Sequence, residues 1–270
     1  MDEPKYHPEL YGELEVVCEK SGETVTGADC YDCSKSVACY PSGLIKLILE
    51  DALKERSGTH VTDLTGCLRK AFYTKTQPKQ PIELREMLNR MVGTIIHKAI
   101  EEAEADPLKV HVTEGSVSIV GTTDGGADRL TEIKTTRWIV PDKLPYGNHE
   151  EQVKSYLAMR KRMGIPGNEA VLYYMDLSGP YKCPTCKQLH WKCKCGRDHS
   201  GKAHSGVVAV PMAFTDTQLE DHMGNMLHQA ALLQAALEES AKGNPGCVAV
   251  LRKGEKWECG YCEFAGICRD

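Results

Sequence analysis

Residues 121–136 of this 270-residue chain read GTTDGGADRLTEIKTT, a short turn between two predicted strands. The first strand ends near Asp124, and the second carries Glu132, Ile133 and Lys134. Because successive side chains of a strand point to opposite faces, Glu132 and Lys134 are predicted to share a face while Ile133 points into the core. If the two strands pair, Asp124 comes near Glu132. Two carboxylates and an ammonium group would then meet at one sheet edge.

Phosphodiester hydrolysis uses such a set of groups. Carboxylate oxygens are preferred ligands of Mg²⁺ and Mn²⁺, and a bound divalent cation polarises a phosphoryl oxygen and lowers the pKa of bound water. A lysine can position the attacking water and neutralise charge that develops at phosphorus. The alternative is an amphipathic surface hairpin, in which Glu-Ile-Lys is an ordinary pattern, and this segment alone does not distinguish the two.

Polar residues in the flanking helices extend this set. His97 lies one turn after Gly93, and imidazole is a good additional ligand for Mn²⁺-type metals. Gln152 and Tyr156 are four residues apart and therefore share a helix face, where they could orient Lys134 or a phosphate. The alternatives are a structural histidine and a buried tyrosine. The interpretation therefore depends on the order and spacing of all these residues together.

The apolar periodicity predicts an α/β or α+β arrangement around a mixed sheet flanked by helices. A helix is predicted after Ser42, and a short helix that includes Cys67 after Thr62 or Asp63. Thr215 and Gln218 form a predicted capping box. The remaining predicted helices cover about 82–105, 149–163 and 216–241, and the predicted strands cover 108–113, 116–122, 129–136, 170–176 and 206–214, the last two as partners.

The bulk composition fits an ordinary folded core, with 41% apolar and 26% charged residues. No apolar run approaches the ~18 residues of a membrane helix. The N-terminal residues lack the basic and apolar regions of a secretory signal. The net charge of −5 does not indicate a nucleic-acid binder, so such a partner requires local basic clusters.

The chain has 13 cysteines, and all but Cys247 fall into three groups of four. In a long chain without a secretory signal, closely spaced Cys-x2-Cys pairs favour metal sites over disulfides. Cys247 is interpreted as a small residue in a turn or in the core. The groups are Cys18, Cys30, Cys33 and Cys39; Cys67, Cys259, Cys262 and Cys268; and Cys183, Cys186, Cys193 and Cys195.

The first group lies in residues 1–41, which carry few apolar residues and would not fold unaided. They are predicted to form a small metal-binding lobe ahead of a domain over 42–270. Zinc is the simpler prediction for this group and a second cluster is the alternative. In a rival pairing, Cys67 joins the N-terminal triplet and leaves the tail triplet short.

The third group lies in a predicted insertion over residues 178–205, where two thiolate pairs suit tetrahedral zinc. His190 or His199 could replace one thiolate. The insertion also has basic residues around Trp191, a composition that suits backbone contacts and base stacking on single-stranded DNA. The alternative is a solvated zinc-binding hairpin. The candidate DNA contacts are Lys192, Lys194 and Arg197.

Six short motifs occur in the order of a known family. Four of them resemble the motif series of RecB-type PD-(D/E)XK nucleases: Gly93-x3-His97, Gly121-x2-Asp124, Glu132-Ile-Lys134 and Gln152-x3-Tyr156. The resemblance spans about residues 60–270 and implies a restriction-endonuclease-like core and a metal-dependent DNA nuclease. It implies that His97, Asp124 and Glu132 are metal ligands and that Lys134 is the catalytic lysine. Gln152 and Tyr156 are further candidate catalytic residues. The segment before Glu132 is short for the family, so Asp128 is a second candidate carboxylate.

The other two motifs resemble the subgroup that carries an iron–sulfur cluster. They are Cys67-Leu-Arg-Lys-Ala-Phe-Tyr and Trp257-Glu-Cys259-x2-Cys262-Glu-Phe-x3-Cys268. This subgroup includes CRISPR-associated RecB-like exonucleases, the AddB nuclease domain and phage relatives. The resemblance implies a 4Fe–4S cluster on Cys67, Cys259, Cys262 and Cys268. The alternative is zinc on the same ligands.

The resulting hypothesis is a Mg²⁺- or Mn²⁺-dependent DNA exonuclease that acts on single strands or DNA ends in recombination, repair or phage replication. Its expected partners are DNA and recombination or helicase proteins, without a membrane, in the cytoplasm of a prokaryote or a virus-infected host cell. The alternative within the family is trimming of spacer precursors in CRISPR adaptation, with an integrase partner. Outside it, the alternatives are a non-catalytic zinc or iron–sulfur DNA-binding protein, which has no need of Asp124, Glu132 and Lys134 together, and a redox protein.

Overall fold

The chain divides into two compact units that each combine separate stretches of sequence. The first consists of Met1–Ser57 and Gln77–Lys98, and the second of Gly58–Thr76 and Ala99–Asp270. The predicted lobe over 1–41 lies within the first unit, and its boundary stays a prediction. The computed structural model describes residues 8–34, 39–53, 58–78, 81–104, 107–126, 129–136, 139, 143–177, 188, 207–252, 254, 256–260 and 262–268.

The elements follow one another in a mixed α/β order. In chain order they are α1 (Pro8–Tyr11), β1 (Glu15–Val17), β2 (Thr24–Thr26), α2 (Gly27–Ser34), α3 (Ser42–Leu53), β3 (Thr59–His60), α4 (Val61–Thr65), α5 (Leu68–Thr76), β4 (Ile82–Glu83), α6 (Leu84–Glu104), β5 (Lys109–Glu114), β6 (Val117–Thr122), β7 (Leu130–Thr136), α7 (Gly147–Arg162), β8 (Glu169–Asp176), β9 (Val207–Ala213), α8 (Asp216–Ala241), a 3-10 helix (Pro245–Val250) and α9 (Lys256–Cys259).

The first unit has its own apolar core. β1 pairs antiparallel with β2 and parallel with β4. The core combines Tyr11, Leu14 and Val16 with apolar residues of α3 and α6. The residues before 42 therefore share a core with two later helices, which supply the apolar surface that they lack themselves.

The second unit contains two small mixed sheets. β6 pairs antiparallel with β5 and parallel with β3, and β8 pairs parallel with β7 and antiparallel with β9, as predicted for β8 and β9. Among the described residues, the pairing between the β6 and β7 segments is one isolated bridge, Gly125 to Thr131. The single central sheet that the sequence predicted is therefore divided. Gly126, with a φ of +97°, lies in the turn that this bridge closes.

α7 and α8 pack together, and α7 also contacts β5, β7 and β8. α8 begins with the predicted capping box: Gln218 N donates to Thr215 Oγ1 (3.2 Å), and Thr215 N donates to Gln218 Oε1 (2.8 Å). The predicted single helix around Cys67 is wrong. Gly66 has an extended backbone that ends α4, so Cys67 lies between α4 and α5.

In the part of the chain that the structure describes, none of the helices combines the length and the apolar character needed to cross a membrane.

Gly121 in β6 allows a tyrosine ring of α7 to lie directly against the strand. A Cβ atom at this position would stand 2.6 Å from Tyr156 Cε1, 3.1 Å from Val61 Cγ2 and 3.3 Å from Val110 Cγ2. Two of these neighbours are branched side chains in the core, and the third is a buried ring. The glycine of the Gly-x2-Asp motif therefore sets how closely α7 packs on β6.

We predict that Gly121→Ala lowers the free energy of unfolding by roughly 1–3 kcal/mol, the usual cost of overpacking a core. Denaturant titration followed by circular dichroism measures the change. The matched control is Gly224→Ala in α8, where no described atom outside the local helix backbone lies within 4 Å of the added Cβ. This control should leave stability unchanged or raise it by up to about 1 kcal/mol, because alanine favours helix. Equal midpoints for wild type and Gly121→Ala would contradict the prediction.

Candidate functional site

A lysine of β7 joins the sheet to α7 in the second unit. Lys134 Nζ donates to Glu132 Oε1 (2.7 Å) and to Gln152 Oε1 (2.7 Å). Gln152 Nε2 in turn donates to Tyr156 Oη (2.9 Å). The alternation of β7 places Glu132 and Lys134 on one face, and Ile133 is buried, as the sequence indicated. Four of the predicted site residues thus form one connected hydrogen-bond chain.

Asp124 reaches this group through a turn. Its Oδ2 accepts a hydrogen bond from Ile133 N (2.7 Å). The bridge between Gly125 and Thr131 brings the two segments together, with Thr131 N donating to Gly125 O (3.0 Å). Asp124 therefore lies against the backbone of β7 beside Glu132, without the strand ladder that the sequence suggested.

The two carboxylates of this site are withdrawn from water. Asp124 is 8% exposed and Glu132 is 2% exposed, while the Lys134 side chain is 18% exposed. Burying an ionised carboxylate is costly unless another charge or a metal stabilises it. The two carboxylates lie together with the ammonium group of Lys134 among the described residues. The donor set is therefore suited to a hard divalent cation.

The described residues do not form a complete metal site by themselves. In the described ranges, no three His, Cys, Asp or Glu side chains are grouped closely enough to hold a metal ion. Mg²⁺ is commonly held by one or two carboxylates together with water and substrate phosphate, so Asp124 and Glu132 fit that mode of binding. His97 lies on α6 in the first unit and is half-buried, and its role as a ligand stays a prediction.

Arg160 of α7 supports the turn that carries Asp124. Its side chain is 1% exposed, and Nη1 donates to Gly126 O (2.8 Å). A run of three basic residues, 160–162, is typical of a solvated helix face, but the structure buries Arg160. The spacing in the sequence indicates this inward position. Arg160 follows Gln152 and Tyr156 at intervals of four residues and therefore lies on the same helix face.

A histidine and two tyrosines beside Lys134 were missed by the sequence reasoning. Tyr174 Oη accepts a hydrogen bond from Tyr146 N (3.0 Å) and lies 3.1 Å from His149 Nδ1. Burial lowers the pKa of His149 to about 4, and the charge of Lys134 adds to this effect. Burial also raises the pKa of Tyr174 to about 12. The strand register places Tyr174 beside Lys134, because the two residues are partners on β8 and β7.

A second polar cluster joins α7 to α8 around a cavity of about 60 Å³. Ser155 Oγ lies 2.9 Å from His222 Nε2, and His222 Nδ1 lies 3.3 Å from Glu151 Oε2. The order resembles a serine–histidine–acid triad. However, Ser155 is fully buried and also donates to Glu151 O (2.7 Å), so the hydroxyl is a helix-packing group rather than an exposed nucleophile.

The structure brings Cys67 next to the C-terminal segment, 185 residues later. Cys67 Sγ lies 3.9 Å from Arg252 O. A crossed arginine pair, Arg69 and Arg252, joins the two segments. Arg69 donates from Nε to Leu251 O (3.1 Å) and from Nη2 to Ala249 O (3.0 Å). Arg252 Nη2 donates to the carbonyl oxygens of residues 64 (2.7 Å) and 66 (2.6 Å).

Residues 263 and 264 of the tail pack along α5. The rings of Tyr73 and Phe264 lie 5.7 Å apart between centroids, and Lys70 Nζ lies 3.4 Å from Glu263 Oε1. Cys262 and Cys268 pack against the core of the second unit. Cys259 is exposed. Three predicted cluster ligands therefore lie in a segment that is packed beside the helix starting after Cys67.

The N-terminal cysteine group lies in the first unit. Burial raises the pKa of Cys30 to about 11, and the neighbouring thiols of Cys18, Cys33 and Cys39 raise it further. The thiol of Cys30 therefore lies within electrostatic range of each of the other three. Other predicted site residues lie outside the described residues and stay predictions: Asp128, Cys183, Cys186, Lys192, Cys193, Lys194, Cys195 and Arg197.

No protein-family model matches the sequence, and no curated protein matches it. Among solved structures, a chain described as the crystal structure of SSO0001 is 19% identical, with 84% of this chain and 94% of that chain covered. Its TM-score is 0.48, which is below the level that identifies a common fold.

The lowered pKa of His149 predicts a loss of stability in acid. Between pH 6.5 and about 4, the unfolded chain binds a proton that the folded chain does not, so the free energy of unfolding falls as the pH drops through this range. The loss from this group is up to about 3 kcal/mol. His149→Gln should remove this component and give a shallower pH dependence in urea denaturation.

The comparison has to be made as a difference between the two proteins, because burial also lowers the pKa of His222, which is present in both. The same slope in wild type and His149→Gln would show that His149 does not contribute to the acid sensitivity.

Proposed function

We propose that this chain is a divalent-metal-dependent nuclease that hydrolyses phosphodiester bonds in DNA. The observation that carries the proposal is the ammonium group of Lys134, which lies 2.7 Å from both Glu132 Oε1 and Gln152 Oε1 beside a second buried carboxylate, Asp124. Burying two carboxylates and an ammonium group together costs free energy. A protein that only binds DNA or only transfers electrons does not need this group of charges.

Asp124 and Glu132 are the residues that would hold Mg²⁺ or Mn²⁺. Such a cation, when bound, supplies Lewis-acid activation of the phosphoryl oxygen and of water.

Lys134 has the geometry to act on the attacking water or on a phosphate oxygen. An ammonium group has three N–H donors, and the hydrogen bonds to Glu132 and Gln152 use two of them. The third donor can reach a water or a phosphate oxygen as negative charge develops at phosphorus. Gln152 fixes the direction of that donor, because its own amide is fixed by Tyr156.

The DNA substrate and the exonuclease mode rest on the order of the sequence motifs. We propose a restriction-endonuclease-like core in which β6 leads to Asp124 and β7 carries Glu132 and Lys134. Single strands or DNA ends in recombination, repair or phage replication are the first choice of substrate. Trimming of spacer precursors in CRISPR adaptation is the alternative.

We also propose a 4Fe–4S cluster on Cys67, Cys259, Cys262 and Cys268, with zinc on the other two cysteine groups. The support is the crossed arginine pair, which fixes the backbone around Cys67 to the segment that leads into the tail. Hydrogen bonds within the protein therefore hold the segment around Cys67 next to the segment that leads to Cys259, Cys262 and Cys268.

We predict that Lys134→Ala lowers kcat for DNA cleavage by at least ~100-fold, the usual effect of removing a group that stabilises transition-state charge. Affinity for single-stranded DNA should change little, because it comes from many phosphate contacts. The assay is digestion of end-labelled single- and double-stranded DNA with Mg²⁺, Mn²⁺ or EDTA.

Lys161→Ala is the control for this variant. Lys161 lies on the same helix as Gln152 but forms surface ion pairs with Asp216 and Glu220, so its removal should leave kcat unchanged. Thermal melting checks that both variants fold. A folded Lys134→Ala protein with wild-type turnover, or cleavage by wild type in EDTA, would contradict the mechanism.

We predict that the purified protein is brown and contains iron, and that Cys268→Ala loses both colour and iron. The variant should also lose stability, because few of the described residues in this short tail segment are buried. Cys247→Ala, which changes the cysteine outside the three groups, is the control and should keep its iron. Colourless wild-type protein with zinc alone, together with a stable Cys268→Ala variant, would contradict the cluster.

A further inference from the structure

His149 lies on the same side of α7 as the glutamine that contacts the lysine. Lys134 on β7 and Tyr174 on β8 are register partners in adjacent parallel strands, which are about 4.8 Å apart. Gln152 of α7 contacts Lys134, and His149, almost one turn earlier, contacts Tyr174. Residues three apart share a helix face. His149 is therefore next to Lys134, close enough for the lysine charge to affect its pKa.

The hydrogen bonds around Tyr174 are compatible with a neutral His149 that carries its proton on Nε2. Tyr146 N can only donate, so Tyr174 Oη is the acceptor of that 3.0 Å bond. The hydroxyl proton of Tyr174 is then available for His149 Nδ1, 3.1 Å away. With Nδ1 accepting, a neutral imidazole carries its proton on Nε2. The ring of His149 also packs against Tyr146 and Tyr174, with centroid distances of 5.6 and 5.5 Å.

The surroundings keep this imidazole neutral. Among the described residues, the ionisable groups that affect the His149–Tyr174 pair are Lys134 on β7, Tyr146 before α7 and Glu150 on α7. Burial and the charge of Lys134 both disfavour a second proton. A group of this kind cannot act as a general acid near neutral pH. It can still donate a hydrogen bond to a substrate oxygen, as a neutral imidazole with a lowered pKa does in other active sites.

We propose that His149 is a further catalytic residue, which donates its Nε2–H as a neutral imidazole to a phosphate oxygen of the DNA substrate. This inference rests on the proposed nuclease function and adds a residue to its site. His149 is half-buried. Tyr174 is fully buried and is a positioning residue, because it acts through His149.

Three variants test the role of His149 in cleavage of end-labelled single-stranded DNA with Mn²⁺. His149→Phe keeps a ring but removes the donor, and should lower kcat by about 10- to 100-fold with a smaller change in KM. His149→Gln places an amide N–H near the position of Nε2 and should retain most of kcat. Tyr174→Phe should lower kcat less than His149→Phe. It removes the hydrogen bond that selects the Nε2–H tautomer of His149, but it keeps the imidazole donor.

The double variant His149→Phe/Tyr174→Phe should be no slower than His149→Phe, since the effect of Tyr174 passes through His149. Additive losses in the double variant would overturn the positioning role. Equal losses of kcat in His149→Phe and His149→Gln that follow their losses of melting temperature would show a structural role and overturn the proposal.

The tautomer and protonation state of His149 can also be measured without an activity assay. In ¹⁵N-labelled protein, NMR of the His149 ring should show the neutral Nε2–H tautomer between about pH 5 and 8. An Nδ1–H tautomer, or titration near the ordinary histidine pKa, would overturn the inference.

The two proposals fail in different ways. Wild-type protein without metal-dependent cleavage would reject the nuclease and the role of His149 with it. Active wild type with an equally active His149→Phe variant would reject only the role of His149.

Discussion

The architecture of the candidate site depends on the buried charge of Lys134. An ammonium group that is largely removed from water must be surrounded by acceptors, or its burial costs several kcal/mol. Its acceptors come from two elements: Glu132 on the same strand and Gln152 on α7. Gln152 is fixed by Tyr156, whose ring fits against the bare backbone of Gly121 on β6. The charge of Lys134 therefore links the position of α7 to β7 in one sheet and to β6 in another.

Other residues along α7 are also fixed by polar or backbone partners. Residues 152, 156 and 160 lie on one face and each meets a polar or backbone partner, with Arg160 bound to the carbonyl of Gly126. That contact fixes the turn from which Asp124 reaches the backbone of β7. His149, at the start of the same helix, is fixed by Tyr174. The helix thus positions the lysine, the carboxylate turn and the histidine together, so a shift of α7 would disturb all three.

The crossed arginine pair has a similar function at the other end of the sequence. Arg69 and Arg252 each donate to carbonyl groups of the other segment, across about 180 residues of chain. Closing so long a loop costs conformational entropy, and the hydrogen bonds of the two guanidinium groups offset part of it. A cluster on Cys67 and the tail would then strengthen an interface that already exists, which is why losing it should loosen the tail rather than unfold the whole unit.

The local features of this protein were determined by the sequence itself. The ends of α8, its capping box and the shared face of Glu132 and Lys134 depend on residues within a few positions of one another, and each agrees with its prediction. The division into two sheets, the burial of Arg160 and the pairing of Tyr174 with His149 depend on residues far apart in sequence. Periodicity shows that a side chain faces inward, but which partner it meets depends on the tertiary packing, because that partner is supplied by a distant element.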